Sequence, residues 1–231
     1  MYGRDPGRGK ALVHELDRSR PEVIPEDQEG VDDLWINWPP RSPRAGGQPV
    51  RHHRSVAVIV VADPSLIVLI GPAGAGKSTV AARHFDRSEI LSSDAYRAMI
   101  SGDEADQRAT RAAFGRLHHE LERRLAARRL TVVDATNVEG HARRALLVRA
   151  GRAGVAAVAI VLDLPVATVL ARNAGRTGRV VDEAVVRRHL DRLRRSLDGP
   201  GPTVRDEGFV QVVVLRDPSE VDRLSFRRQP P

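Results

Sequence analysis

The stretch "LIVLIGPAGAGKSTVAARHF", Leu66 to Phe85, constrains the fold more tightly than any other part of the chain. An apolar run of strand length stops at Gly71. Residues Gly71 to Ser78, "GPAGAGKS", then match G-x-x-x-x-G-K-[ST], and a helical pattern opens at Ser78. Strand, glycine-rich turn and helix in that order are the setting in which such a loop binds phosphate. Glycines let backbone N–H groups wrap an anion, and the helix N-terminus adds a favourable dipole. Lys77 is expected to reach the β- and γ-phosphates of ATP, and Ser78 to offer its hydroxyl to Mg²⁺. Gly71, Pro72, Ala73, Gly74, Ala75, Gly76 and Thr79 complete the expected nucleotide cradle.

Composition sharpens this reading at one residue. Of 37 Lys plus Arg, only Lys10 and Lys77 are lysine. Alanine, valine and glycine are abundant beside the arginine, as a GC-rich codon bias would produce. A lysine kept against that drift marks a place for a compact charge on a thin stem, where a planar guanidinium would not fit.

A chain of 231 residues can hold one α/β domain with appendages. The absence of cysteine removes disulfides and thiolate-bound metal, which suits a cytoplasmic protein. The N-terminal residues lack the apolar core of a secretory signal. No apolar run approaches the roughly 20 residues needed to span a bilayer, so no membrane partner is expected. Residues 1–55 carry 9 basic and 9 acidic side chains, whereas residues 56–231 carry 28 and 21, so the net charge of +7 sits on the later part. A basic domain suits a polyanionic partner. Residues 1–54, rich in Pro, Gly and Arg around Trp35 and Trp38, read as a disordered extension, with a short helix at Lys10 to Arg18. Within it, "VDDLWINW" is the candidate segment for docking on the domain or on a partner.

Residues 55–231 read as the domain. "VAVIVV" and "LIVLIG" are strands split by "ADPS". A helix follows from Ser78 to about Phe85, then the short strand "SEILSSD" and the helix "DAYRAMISG", closed by Gly102. Asp106 to Arg129 is a long amphipathic helix. "LTVVDATN", "VAAVAIVLDL" and, last, "GFVQVVVL" are strands, with helices over "VEGHARRALLVRAGRAG", "PVATVLARNAG" and "DEAVVRRHLDRLRRSL" between them. Continuous apolar strands alternating with helices predict an α/β fold of the P-loop NTPase type. Its parallel sheet is covered by helices on both faces, and ligands bind at the C-terminal strand edge.

Polar residues collect at those strand ends. Asp94 closes "ILSSD", where a carboxylate can take the proton of an acceptor hydroxyl or act as a helix N-cap. Arg97 follows one turn later on the same face, either holding a substrate anion or solvated like other arginines. Asp134 ends "TVVD", followed by Thr136 and Asn137; it is placed to support Mg²⁺ or to shape a turn. Arg172, Arg176 and Arg179 surround a glycine-containing break between two helices, the order in which a lid is built. His118 and His119 are adjacent on one helix and do not share a face, so they read as an ordinary pair rather than a metal pair.

Together "LIVLIGPAGAGKST", "ILSSDAYR", "LTVVDATNV", "VAIVLDLP" and "ARNAGRTGRVV" make the chain from Ala62 to Leu215 resemble P-loop kinases of the polynucleotide 5′-kinase type. The likeness is closest to the kinase module of bacterial end-healing enzymes, which combine kinase, phosphatase and ligase. The resemblance implies ATP and Mg²⁺ as cofactors and the 5′-OH of RNA or DNA as acceptor. Asp94 would be the general base, Arg97 would hold the phosphate beside the acceptor nucleotide, and Arg172, Arg179 and Arg176 would contact nucleotide phosphates from an arginine-bearing lid. The chain departs from those enzymes in stopping after this module and in adding residues 1–54. Related kinases of small molecules share most of these words. A small-molecule kinase and a non-catalytic ATP-binding interaction module are therefore the alternative readings.

Overall fold

Every residue of β2 (Ser65–Ile70) is buried, as in a strand covered on both faces. Its side chains alternate: Leu66, Val68 and Ile70 enter one core cluster, Ile67 and Leu69 the other. The computed structural model that reveals this describes residues 58–102, 110–177 and 179–230. The extension at 1–54, its short helix and the "VDDLWINW" segment lie outside the described residues.

β2 is the centre of a five-stranded parallel sheet. Its companions are β3 (Ile90–Ser92), β4 (Thr131–Asp134), β5 (Ala156–Leu162) and β6 (Gln211–Leu215), in the order β3-β4-β2-β5-β6. The helices are α1 (Lys77–His84), α2 (Ser93–Ser101), α3 (Thr110–Ala126), α4 (Gly140–Arg152), α5 (Val166–Ala174), α6 (Glu183–Asp198) and α7 (Pro218–Asp222). Val80 and Ala81 of α1 and Val169 of α5 pack on one sheet face. Leu117, Leu121 and Leu125 of α3 and Leu146 and Ala150 of α4 cover the other. The predicted α/β parallel sheet with helices on both faces is thus the observed one. Among the described residues, no helix is long and apolar enough to cross a membrane.

Two expectations change. β1 (Val58–Ala62), from "VAVIVV", does not join the central sheet. It pairs in parallel with β7 (Ser225–Gln229), Val58 opposite Ser225 and Ala62 opposite Gln229. "GFVQVVVL" is therefore not the last strand, because α7 and β7 follow it. β7 reads "SFRRQ" and leaves its last three residues exposed, so it carries no apolar run to mark it as a strand. It is held instead by β1 and by the Arg228 guanidinium, whose Nη1 and Nη2 donate to Glu89 at 2.7 and 2.8 Å. The long helix expected over Asp106 to Arg129 is seen as α3, and residues 106–109 lie outside the described residues.

The chain leaves β2, runs to edge strand β3, and returns to fill the gap with β4. It then crosses to β5 on the far side. In a doubly wound sheet that reversal opens a crevice at the carboxyl ends of the strands.

Candidate active site

The loop after β2 turns back on itself before α1 begins. Gly74 and Gly76 hold φ of +83° and +97°, a region open to glycine and strained for other residues. At Gly74 space forbids a side chain as well. A Cβ there would stand 2.3 Å from the Val169 carbonyl oxygen and 2.9 Å from the Asn173 nitrogen, both on α5. The loop is thus seated directly on the α5 backbone. Gly76 is the N-cap residue of α1, and Lys77 is its first residue.

Lys77 Nζ donates to the Pro72 carbonyl at 2.8 Å across the mouth of the loop. Burial of the ammonium is the largest influence on it and lowers its pKa to about 8. Asp134 opposes that shift and Arg176 adds to it. Ser78 and Thr79 stay exposed. Ala73, Gly74, Gly76, Lys77, Ser78 and Thr79 line a cleft of about 640 Å³. Gly71, Pro72 and Ala75 are buried behind it and shape the loop rather than the cleft wall.

The other predicted residues meet in the same cleft. Asp94, Arg97, Asp134, Arg172, Arg176 and Arg179 all line it. Asp94 is not the helix N-cap, contrary to one of its two expected roles. Ser92 caps α2 by accepting from the Ala95 N–H at 3.4 Å, and Asp94 is the second residue of the helix. That leaves its carboxylate free to face the cleft. Its Oδ1 accepts from Arg97 Nη2, and its Oδ2 lies 3.7 Å from Arg176 Nη2 in the segment between α5 and α6. Arg97 is no solvated arginine: only 7% of it is exposed, and its guanidinium is spent first on Asp94. Gly102 closes α2 with φ of +75°, as its position suggested. Arg172 comes close to the phosphate loop, its Nη1 3.5 Å from where a Cβ on Gly76 would stand.

Asp134 ends β4 level with Leu69 of β2 and Ser92 of β3, and is 7% exposed. The chain beyond it is tightly held. Thr136 O accepts from the Gly71 N–H at 3.0 Å, and Asn137 Nδ2 donates to Leu69 O at 2.8 Å. Asn137 itself takes φ of +50°.

Sequence reasoning missed three residues. Arg143 on α4 is 1% exposed. Its Nη1 donates to the carbonyls of Asn137 and Val138 at 3.0 and 2.7 Å, while Nε and Nη2 make a bidentate pair with Glu207 at 2.7 and 2.5 Å. It fastens the loop that follows Asp134, yet in the sequence it is one arginine among many. Asn173, 4% exposed, pairs with the backbone of Val181. His189 of α6 also lines the cleft, with its pKa lowered first by burial and then by Arg192; Glu139 opposes this. His118, by contrast, packs on Phe114 with ring centroids 6.1 Å apart, away from the cleft. Burial and then Arg149 push its pKa down to about 4, against Glu122.

Hydroxyl and carboxylate oxygens suit a hard divalent cation. Ser78 and Asp134 supply both kinds in this cleft, and the positive-φ loop with Lys77 suits a polyphosphate.

A family model described as AAA domain matches residues 66–200. No curated protein matches the chain. Among solved structures, a chain of the Pnkp1/Rnl/Hen1 RNA repair complex is 24% identical, with a TM-score of 0.47 over 58% of this chain. This chain spans 45% of that one. A gluconokinase from Sinorhizobium meliloti is 22% identical, with a TM-score of 0.41 over 68% of this chain and 84% of that one. The Mycobacterium tuberculosis APS kinase CysC, in complex with AMPPNP and APS, is 15% identical, with a TM-score of 0.43 over 67% of this chain and 90% of that one. Likenesses at this level do not choose an acceptor.

Proposed function

Because the chain belongs to the AAA domain family, we propose that its cleft is the active site of an ATP- and Mg²⁺-dependent phosphotransferase, acting on the 5′-OH of RNA or DNA. The observation that carries the proposal is the meeting of four elements at one strand edge. These are a phosphate loop with Lys77, an aspartate facing the cleft at Asp94, a second carboxylate at Asp134, and an arginine-bearing segment close enough for Arg176 to approach Asp94.

The chemistry follows from their placement. Lys77 and the loop amides would hold the β- and γ-phosphates, with Arg172, Arg176 and Arg179 on the opposite wall. Ser78 and Asp134 would hold Mg²⁺, which when bound screens phosphate charge. Asp94 would take the proton of the acceptor hydroxyl as its oxygen bonds to the γ-phosphorus and the bond to the β,γ-bridging oxygen breaks, leaving ADP. Lys77 and the lid arginines would neutralise charge on the transferring group, a role that demands fixed positive charge rather than covalent chemistry. Arg97 would serve twice, orienting Asp94 and presenting positive charge to the phosphate next to the acceptor nucleoside. The net charge of +7 on residues 56–231 suits a polyanionic acceptor.

The test is transfer from γ-labelled ATP, with Mg²⁺, to a short 5′-OH oligonucleotide. Label on the oligonucleotide from wild type, lost in Asp94→Ala with ATP binding kept, is the expected result. Label moving only to small hydroxyl compounds would replace the acceptor. Full activity in Asp94→Ala would remove the base from the mechanism.

A further inference from the structure

We infer that Asn173 is the positioning residue of the lid, a clasp that fixes where Arg176 and Arg179 stand relative to the phosphate loop.

Asn173 is the penultimate residue of α5, and Val181 immediately precedes Asp182, the N-cap of α6. Asn173 Nδ2 donates to the Val181 carbonyl at 2.7 Å, and its Oδ1 accepts from the Val181 N–H at 3.2 Å. One amide side chain thus satisfies both backbone groups of a residue eight positions on, as a neighbouring strand would. Arg176 and Arg179 lie in the segment between the two ends. The Arg176 N–H on the Asn173 carbonyl and the Arg176–Asp94 pair hold the start of the segment, and the clasp ties its far end at Val181. With it, the segment is a short closed loop, and short loops have few conformations to lose on binding.

The backbone of the same residue faces the other way. The Asn173 nitrogen and Cβ lie 2.9 and 3.0 Å from where a Cβ on Gly74 would stand. Asn173 therefore touches the phosphate loop on one side and ties the lid on the other. That contact registers Arg176 against the phosphate cradle and leaves it 3.7 Å from Asp94. An asparagine suits the position because it has a donor and an acceptor on a two-carbon stem. It is nine-tenths buried and both side-chain groups are used, so it is no surface polar residue.

The kinetic consequence rests on the phosphotransfer reading above; the conformational one does not. Asn173→Ala removes the clasp but keeps the Cβ that abuts Gly74, so the phosphate loop keeps its seat. Asn173→Asp keeps the acceptor and sets a carboxylate oxygen against the Val181 carbonyl. Limited digestion with trypsin reads the lid directly, because Arg176 and Arg179 are its cleavage sites there. Both variants should be cut at these two arginines faster than wild type, with cleavage elsewhere and thermal unfolding little changed.

Transfer of γ-phosphate to the 5′-OH oligonucleotide should fall on the order of 100-fold in either variant, as expected for misplaced catalytic groups. It should not fall further when Asn173→Ala is added to an Arg176→Ala, Arg179→Ala protein. A structural role alone would subtract again in that background. Additive losses, or lid cleavage at the wild-type rate in a folded variant, would overturn the inference. If the wild type labels no acceptor, the phosphotransfer reading fails by itself and the cleavage rates still decide the clasp. If Asn173→Ala does not fold, Asn173→Asp carries the same comparison.

Discussion

Two loops bring charge to the same cleft and are held in opposite ways. The loop after β4 follows directly on Asp134 and is bolted down. Arg143 binds two of its carbonyls and Glu207, Asn137 reaches back to β2, and Gly71 donates to Thr136. The segment between α5 and α6 carries Arg176 and Arg179, and among the described residues it is tied to α5 by the Asn173 amide and by the Arg176 N–H on the Asn173 carbonyl at 3.4 Å. On the proposed reading, the side with Asp134 and Ser78 would hold a cation, and its oxygens would need fixed separation, since a hard cation tolerates little slack. On the same reading, the arginine side would admit a nucleotide and then meet its charge, so a lighter tether would suit it. Rigidity is distributed here according to what each wall of the cleft would hold.

The comparison breaks first at Arg143. Arg143→Ala strands the Glu207 carboxylate, leaves two buried carbonyls without their donor and opens a cavity. Loss of about 3 kcal/mol is expected in denaturant unfolding, with weaker nucleotide binding. A loss under about 1 kcal/mol would mean that the β4 loop does not depend on this bolt. Gly74→Ala tests the seat that both walls share. The strained φ and the 2.3 Å approach to a backbone oxygen should cost on the order of 2 kcal/mol and displace the phosphate loop, abolishing binding of an ATP analogue. Asn173→Ala should cost only about 1 kcal/mol in the same unfolding experiment. The expected ordering of Arg143 above Asn173 is what makes one loop fixed and the other tethered; equal costs would erase the distinction.

The smallest effect is a proton. Lys77 in the free protein has its pKa lowered to about 8, mainly by burial. A bound polyphosphate favours the charged ammonium and raises that value again. Binding near pH 8 should therefore take up protons, and affinity should fall as pH rises above about 8. Titration calorimetry in two buffers of different ionisation enthalpy measures the uptake directly. Equal apparent heats in both would show that Lys77 stays charged without the ligand. The same shift has a stability sign. Between about 8 and 10.5 the unfolded chain holds the proton that the folded chain has lost, so the burial penalty at Lys77 is relieved as pH rises through that window.

The central sheet and its helices were legible because β2, β5 and β6 are built on long apolar runs, while the shorter β3 and β4 are marked by polar residues at their ends. The phosphate loop was legible for a related reason: its glycines, Lys77 and Ser78 are consecutive, so local backbone geometry alone places them. Asp94, Asp134 and the lid arginines were found by where the strands end. β7 was not found, because "SFRRQ" has no apolar period and forms a strand only by pairing with β1, whose Val58 it meets across most of the chain. Capping stays open for Asp94 in the sequence because Ser92, Ser93 and Asp94 are all competent caps, and only the helix start observed at Ser93 selects Ser92.

The sequence by itself determined the fold class and the glycine-rich loop that ends in Lys77, since those rest on contiguous residues and their intrinsic geometry. Only the tertiary structure decided which arginines matter. Among 37 basic residues, burial and partners separate Arg143, 64 positions from Glu207, and Arg97, locked to Asp94, from those that only face solvent. Desolvation and long-range pairing are properties of the packed chain. A guanidinium in the sequence is the same group whether it ends in water or in the core.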